Sequence, residues 1–453
     1  MKVLLINPNS TRYIYGRSPL KIAIFRNPSL SLAVIASSLI HAGHKTKIFD
    51  LDLPKAKENI LYHTIKEWRP DFIGITGTTP LYNEMLRVCK IIKQINPSIT
   101  IVAGGHHATV LPEEFLDSRY VDMVVSGEGD YTFLDIVSKK DLGDIRGIYY
   151  KQDGKIKHNP DRELIEDLDN LPFPAWHLYD LKRYRNPRMI VKVNPVGPIE
   201  TSRGCIYNCI YCSKAVFGNK FRPKSPERVV NEMEFMLKSG FREIHVYDDG
   251  FSIDLNRAKS ICDLIIKRNL KFPWVLFNGI RVNNMDIEFL SCLKKSGCYR
   301  IGLGIESGNQ SVLDASCKGI TLAQIKETVK LIKHSGIETF GFFMIGLPQE
   351  SLESLKDTIN FAKELNLDFY KFSHAVPYPG TPLYEQWEKA GYIKSKDWSK
   401  YFFHNPDLSK QTFNHPSLSW DDLNKNYRKA YRKLCFNFPY ITKVIKNMLL
   451  RGH

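Results

Sequence analysis

Short apolar runs rich in Val and Ile alternate with helix-period stretches twice over in this chain, and that alternation restricts the fold more than any other feature. The first series comprises VLLIN (3–7), a helical pattern over 29–44, TKIFDLD (46–52), DFIGITGTT (71–79), a helix over 81–95, TIVAGG (100–105), a helix near 112–116 and MVVSGEG (123–129). Strands that are apolar along their whole length belong to a parallel sheet covered on both faces. Such sheets bind ligands beyond the carboxyl ends of their strands. The loops at those ends carry Asn7 and Pro8, Thr78 and Thr79, Gly104, Gly105, His106 and His107, then Gly127, Glu128 and Gly129. Small residues prevail there, so a bulky ligand can approach the backbone. The expected unit is a doubly wound, Rossmann-like α/β domain over residues 1–140.

Residues 141–195 break the pattern with prolines and aromatics (LDNLPFPAWHLYDL) and read as a connector packed on its neighbours. The second series then supplies PIETS (198–202), EIHVYDD (243–249), WVLFNGI (274–280), RIGLGIES (300–307), ETFGFFMIG (338–346) and DFYKFSHAV (368–376). Helical patterns separate them at 226–240, 256–268, 286–296, 322–336 and 351–365, several closing on Gly. Six parallel strands with right-handed crossovers make a partial (β/α)6 barrel, expected over 196–386, with its active site at the carboxyl strand ends. Residues 387–453 read as a mostly helical, basic segment: from 420 onward it holds Lys425, Arg428, Lys429, Arg432, Lys433, Lys443, Lys446 and Arg451. Its apolar side would be Leu434, Phe436, Phe438, Ile441, Val444, Ile445, Leu449 and Leu450. Such a face either lies on an anionic membrane or packs on the barrel.

A length of 453 residues suits two or three domains. The start, MKVLLINPNS, runs straight into a strand pattern and lacks a signal-peptide core, so the chain reads as cytoplasmic. Nine cysteines without a secretory signal do not make a disulfide framework. A formal net charge of +16 favours anions: nucleic acid, anionic lipid or phosphate-bearing cofactors.

Three of the cysteines, Cys205, Cys209 and Cys212, fall within eight positions just after the first barrel strand. Three thiolates cannot close a tetrahedral structural zinc site. On a [4Fe–4S] cluster they leave one iron open for another ligand. The alternatives are core packing and a three-cysteine zinc site. Asp248 and Asp249, at the end of the second barrel strand, could cap the turn there, and Glu306, at the end of the fourth, could form an ion pair with Arg281 or Arg300.

The motif CIYNCIYC, with Tyr211 beside its last cysteine, resembles the cluster loop of radical S-adenosylmethionine (SAM) enzymes. YDDGFS (247–252), GIESG (304–308), FFMIGLPQES (342–351) and PYPGTPLY (377–384) are similar to that family's later barrel motifs. The resemblance implies a cluster on the three cysteines, with SAM on its open iron and contacts from Tyr211, Asp248, Asp249, Arg281, Glu306 and Gly346. A doubly wound domain with GGHHAT and SGEGD ahead of such a barrel resembles the cobalamin-binding domain of B12-dependent radical SAM enzymes, and the likeness spans roughly residues 1–390. It implies cobalamin contacts from Asn7, Pro8, Thr78, Thr79, Gly104, Gly105, His106, Gly127, Glu128 and Gly129. The chain departs from other cobalamin proteins in lacking D-x-H-x-x-G: no Asp stands two positions before any His. His106 and His107 are therefore either contacts or satisfied loop histidines. No G-x-G-x-x-G follows the first strand, which argues against a dinucleotide site.

The family implies methylation of an unactivated carbon through a 5′-deoxyadenosyl radical and methylcobalamin, two SAM being consumed per product. Relatives of this architecture also perform oxidative cyclisation and ring rearrangement. An Fe–S electron carrier or an RNA-associated protein is the reading from a different class, but no nucleic-acid module is evident. Radical methylthiolation needs a second set of three cysteines, which this sequence lacks. The expected partners are a small-molecule or lipid substrate and an external low-potential electron donor, with no nucleic acid and with peripheral membrane contact through the basic C-terminus as an option.

Overall fold

The computed structural model describes residues 1–11, 25–54, 56–283, 285–403, 409–436 and 440–442. Seven strands form a first sheet in the order β2-β1-β3-β4-β5-β6-β7: β1 Lys2–Asn7, β2 Lys45–Asp50, β3 Phe72–Thr76, β4 Thr100–Gly104, β5 Met123–Val125, β6 Ile148–Gln152 and β7 Lys155–His158. The first five are parallel, as the sequence implies. Along β1, Val3 and Leu5 join Leu32, Ala36 and Phe133 in one core, while Leu4 and Ile6 join Leu61, Ile65 and Met85 in the other. The inner strands β1, β3 and β4 are mostly apolar because both of their faces are buried, whereas the edge strand β2 exposes Lys45 and Lys47.

Strands β6 and β7 are antiparallel and come from the stretch read as connector, so the sheet continues past residue 140. Their turn is Asp153-Gly154, with φ of 52° and 74°. Two left-handed residues in a two-residue loop match the twist of a hairpin, and Asp-Gly is a common way to supply them. The sequence signal was therefore present.

The second sheet is all parallel and has the order β15-β14-β13-β12-β11-β8, with β8 Val196–Ile199, β11 Glu243–Val246, β12 Trp274–Ile280, β13 Cys298–Glu306, β14 Glu338–Ile345 and β15 Phe369–His374. Between β8 and β11 a short ladder pairs β9 Ser202–Arg203 with β10 Arg222–Pro223. Helices Pro226–Lys238, Leu255–Lys267, Ile287–Lys295, Leu322–His334 and Leu352–Leu365 bury Val229, Ile261, Phe289, Ile325 and Ile359 against Ile244, Leu276, Ile301 and Phe343. Each starts on a side-chain cap: Ser225, Asp254, Asp286, Thr321 or Ser351 accepts a first-turn N–H.

The segment between the sheets is fastened to both. Tyr184 donates to Asp50 (2.8 Å) and Ala175 N–H donates to the Ala33 carbonyl (2.9 Å), while Trp176 meets Phe241 edge-on. At the other end of the barrel, helix Trp420–Leu434 buries Leu423, Tyr427, Ala430 and Leu434. Its Tyr431 hydroxyl bonds both the N–H (3.1 Å) and the carbonyl (3.2 Å) of Phe372 on the edge strand β15. The apolar side of this helix is thus taken by the barrel. Phe436 and Ile441 are exposed, whereas Phe438, Val444, Ile445, Leu449, Leu450, Lys443, Lys446 and Arg451 lie outside the described residues. Among the described residues no helix is long and apolar enough to cross a membrane.

Candidate functional site

The cysteines lie on the excursion between β9 and β10. Gly204 opens it at φ 82°, where a Cβ would sit 2.1 Å from the Lys220 carbonyl oxygen, so only glycine allows the two stems to close. Asp249 accepts from Gly204 N–H (2.9 Å). Further along, Ile210 N–H donates to the Ser316 carbonyl (3.2 Å), and Ile210 O accepts from Leu383 N–H (2.9 Å). The loop is therefore anchored at its stem, to the segment after β13 and to the segment after β15.

Asp248 is committed to that same stem. Its carboxylate takes Thr201 N–H, the Thr201 hydroxyl and the Ser202 hydroxyl (2.9 Å), and burial pushes it up to about 6. Most of its acceptor capacity is thus used from within, where it joins the chain just after β8 to the turn after β11. The capping alternative comes nearer to what is seen.

At Cys209 the surroundings favour thiolate. The Cys212 thiol beside it, then Lys318 and Arg281, hold Cys209 below the usual thiol range against its burial. Cys212 is raised in turn by Cys209, and burial raises Cys205. Among the described residues no three His, Cys, Asp or Glu side chains converge on one point as a single ion would require. A cubane places each thiolate on a different iron, so the donor set of three thiols beside two cations fits a cluster better than a lone ion.

Arg281 stacks on Tyr207 of the loop (3.6 Å) and donates to the carbonyls of Lys318 and Gly319. Glu306 pairs with Lys318 at 3.0 Å, not with Arg281 or Arg300. Arg300 instead meets Glu338 (2.8 Å) and the Ile190 carbonyl (2.6 Å). Glu306 has φ 66°, in the left-handed region that non-glycine residues occupy only when their surroundings hold them there. A side chain at Gly304 would meet both members of the pair, at 2.8 and 2.9 Å, so this glycine makes room for it. Gly346 lies beneath Leu423 and His415 of the C-terminal segment.

In the first sheet a cavity of about 290 Å³ opens at the carboxyl strand ends, between the sheet and helix Leu30–His41. Gly104, Gly105, Gly127, Glu128 and Gly129 line it together with Leu5, Gly74 and Phe133. Glu200 and Arg203 at the stem of the cysteine excursion, with Val216 and Phe217 within it, form its other wall. A mainly apolar slot with glycine backbone along one side fits the planar tail of a cobalamin. Asn7 and Pro8 are not among its lining residues; Asn7 donates to Asp50 (2.8 Å) and ties two strand ends together. Glu128 lines the cavity, and its carboxylate accepts from Arg203 (2.9 Å), Arg222 (3.0 Å) and Ile165 N–H (2.7 Å).

Thr78, Thr79 and His106 line a second cavity, of about 200 Å³, with Tyr211 and Ser213 of the cysteine loop, Tyr378 from beyond β15, and Phe402 and Phe403 of the C-terminal segment. His107 is fully buried among Tyr82, Phe115 and Trp398, 3.5 Å from Glu114, and faces neither space. Sequence reasoning missed Arg203, Arg222 and Lys318. None belongs to a periodic pattern, and each acquires meaning only from a partner distant along the chain.

Residues 199–362 match the family model of the radical SAM superfamily and residues 25–137 that of the B12 binding domain. An uncharacterized methyltransferase of Pyrococcus horikoshii is 34% identical over 95% of this chain and 92% of its own. The anaerobic magnesium-protoporphyrin IX monomethyl ester cyclase of Rubrivivax gelatinosus is 29% identical over 100% of this chain and 81% of its own. Among solved structures, the cobalamin-dependent SAM radical enzyme OxsB with aqua-cobalamin and SAM bound superposes with a TM-score of 0.76, at 18% identity, over 100% of this chain and 71% of that one.

Proposed function

The chain belongs to the radical SAM enzymes that carry an N-terminal B12-binding domain, and on that premise we propose that it transfers a methyl group to an unactivated carbon of a small molecule. One observation carries the reading: the cysteine excursion and its stem wall the cavity of the first sheet, the excursion through Val216 and Phe217 and the stem through Glu200 and Arg203. A ligand in that cavity and a ligand on the cysteine loop would share one enclosed space.

In this reading Cys205, Cys209 and Cys212 hold a [4Fe–4S] cluster. Tyr211, Asp249, Arg281, Glu306 and Gly346 surround SAM, and the loops at Gly104, Gly105, Gly127 and Gly129 take cobalamin, with Thr78, Thr79 and His106 beside the shared space. When bound, these groups supply an electron to SAM, a primary carbon radical and a methyl carrier. The protein's own work is position and exclusion. Asp248 and Asp249 fix the stem of the cysteine loop, Lys318 orients the Glu306 carboxylate, and Phe402 and Phe403 line the second cavity beside Tyr211 of that loop. A reactive carbon radical demands such enclosure, since it abstracts hydrogen from whatever lies within contact. The external electron donor would approach the loop where Ile206 and Cys212 are exposed.

The methyltransferase relative, matched over 95% of this chain, favours methyl transfer. A second reading, oxidative ring closure, is supported by the cyclase that all of this chain matches. Anaerobic reconstitution with iron, sulfide, hydroxocobalamin and isotope-labelled SAM separates the two. Methyl transfer produces S-adenosylhomocysteine together with 5′-deoxyadenosine, whereas deoxyadenosine alone during turnover of a native substrate indicates cyclisation. A protein that retains no cobalamin overturns the assignment of the first cavity.

A further inference from the structure

The inward face of the barrel carries several charges, and among the described residues most have hydrogen-bonding partners. Glu243 accepts from the N–H groups of Lys192 (2.7 Å) and Val193 (2.9 Å) and from the Tyr299 hydroxyl (2.6 Å). Arg300 has Glu338, and Lys318 has Glu306. Lys371 has no such partner: among the described residues no carboxylate, hydroxyl or carbonyl hydrogen-bonds its ammonium. The group lies 5.8 Å from the ring of Phe342, its register partner on β14, and 5.6 Å from the ring of Phe403. These distances are near the outer reach of a cation–π contact, and two rings leave the three N–H donors of this half-buried side chain to water or to a ligand in the barrel. Burial lowers the Lys371 ammonium to about 8, so it is still largely a cation at neutral pH.

Position gives this cation its use. Phe340 and Phe342 stack on each other (4.7 Å) and reach Phe277 across the barrel, making an aromatic wall beside Lys371. Phe403, on the other side, also lines the cavity shared with the cysteine loop. We propose that Lys371 anchors an anionic group of the substrate, a carboxylate or phosphoryl group carried on an apolar body that lies along the Phe342 and Phe403 rings. This rests on the barrel being the substrate site and deepens that reading by naming the substrate's charge class. A partly desolvated cation gains most from a ligand that restores its hydrogen bonds while keeping water out.

The test is a calorimetric titration of the full-length, reconstituted protein with SAM present, using benzoate, phenylphosphonate and the neutral isostere benzamide. Wild type is expected to bind at least one of the two anions about tenfold more tightly than benzamide. Lys371→Met should abolish that preference, and Lys371→Arg, which keeps the charge, should retain it. Equal binding of anions and benzamide by wild type, or a preference that survives in Lys371→Met, overturns the proposal. Should Lys371→Met fail to fold, the wild-type ratio and the Lys371→Arg protein still decide. Iron and cobalamin contents of the same samples report separately on the cofactor reading, so the two can fail independently.

Discussion

Arg203 Nη1 lies 2.9 Å from Glu128 and 3.0 Å from Asp130, so the residue two positions ahead of Cys205 is fastened to the loop after β5 in the other sheet. Glu200 closes the cluster at 2.7 Å, and Arg222 joins Glu128 from β10. Burial alone would weaken the Arg203 cation, but the carboxylates of Asp130, Glu200 and Glu128 hold it well above its ordinary range. A buried cation with three acids around it acts as a clamp between domains whose ligands must meet.

Arg203→Met should therefore do two things. It strands buried carboxylates, which costs about 3–5 kcal/mol, and it loosens one wall of the first cavity. Urea unfolding should show the first effect, and loss of bound cobalamin on gel filtration the second. An unchanged midpoint would mean that the clamp is not what joins the sheets.

Gly104→Val tests the cavity with less damage elsewhere. A Cβ at Gly104 meets only Val125, at an ordinary 3.9 Å, and the backbone there is not left-handed. The added methyls should project into the space and block cobalamin retention while the melting temperature stays near wild type. Gly105→Ala is the contrasting case, because φ 95° and an oxygen 2.5 Å from the new Cβ should destabilise the loop itself. If Gly104→Val retains cobalamin normally, the tail does not lie in this slot.

The architecture could be read in the sequence because it rests on short-range chemistry. Apolar strands, helix caps such as Ser225 and Asp254, and the thiol spacing each act within a few residues. Pairings across the fold could not be read, and Glu306 shows why. Arg300 was an attractive partner on the same strand, yet six residues of extended chain separate them by about 20 Å. Arg281 is occupied with Tyr207 and two carbonyls. The true partner, Lys318, returns only through the turn after helix Gln310–Ala315. Likewise nothing near YDDGFS says that Asp248 faces Thr201 across a strand, or that Glu128 will meet two arginines from beyond position 200.

Tyr431→Phe should weaken the cover on the barrel's open edge. The hydroxyl makes two bonds to the backbone of Phe372 on β15, and Phe keeps the ring contact while removing both. The expected loss is about 1–3 kcal/mol, with faster amide hydrogen exchange at Phe372 and little change in the first sheet. Uniform acceleration across both sheets would show that the helix supports the whole molecule and not this edge.

Glu350 gives the fold a pH dependence whose sign can be worked out. It is fully buried, and one carboxyl oxygen accepts from the N–H groups of Gly346 and Leu347 (3.1 Å) while the other has no partner among the described residues. Burial raises it from 4.5 to about 8 despite those two bonds. The folded state therefore holds this proton more tightly than the unfolded chain does. The resulting stabilisation is complete below about 4.5 and is lost as pH rises through about 8, where a buried charge must form. Glu350→Gln keeps an acceptor for both N–H groups and cannot ionise, so its stability should not fall over that window. Subtracting the two urea-midpoint profiles removes every other titrating group, provided the substitution leaves them undisturbed. The wild type should fall progressively below the variant from about 4.5 upward, the gap levelling off once pH passes about 8. Parallel profiles would show that Glu350 is ionised in the folded protein at neutral pH and that the turn after β14, where Gly346 lies, tolerates the charge.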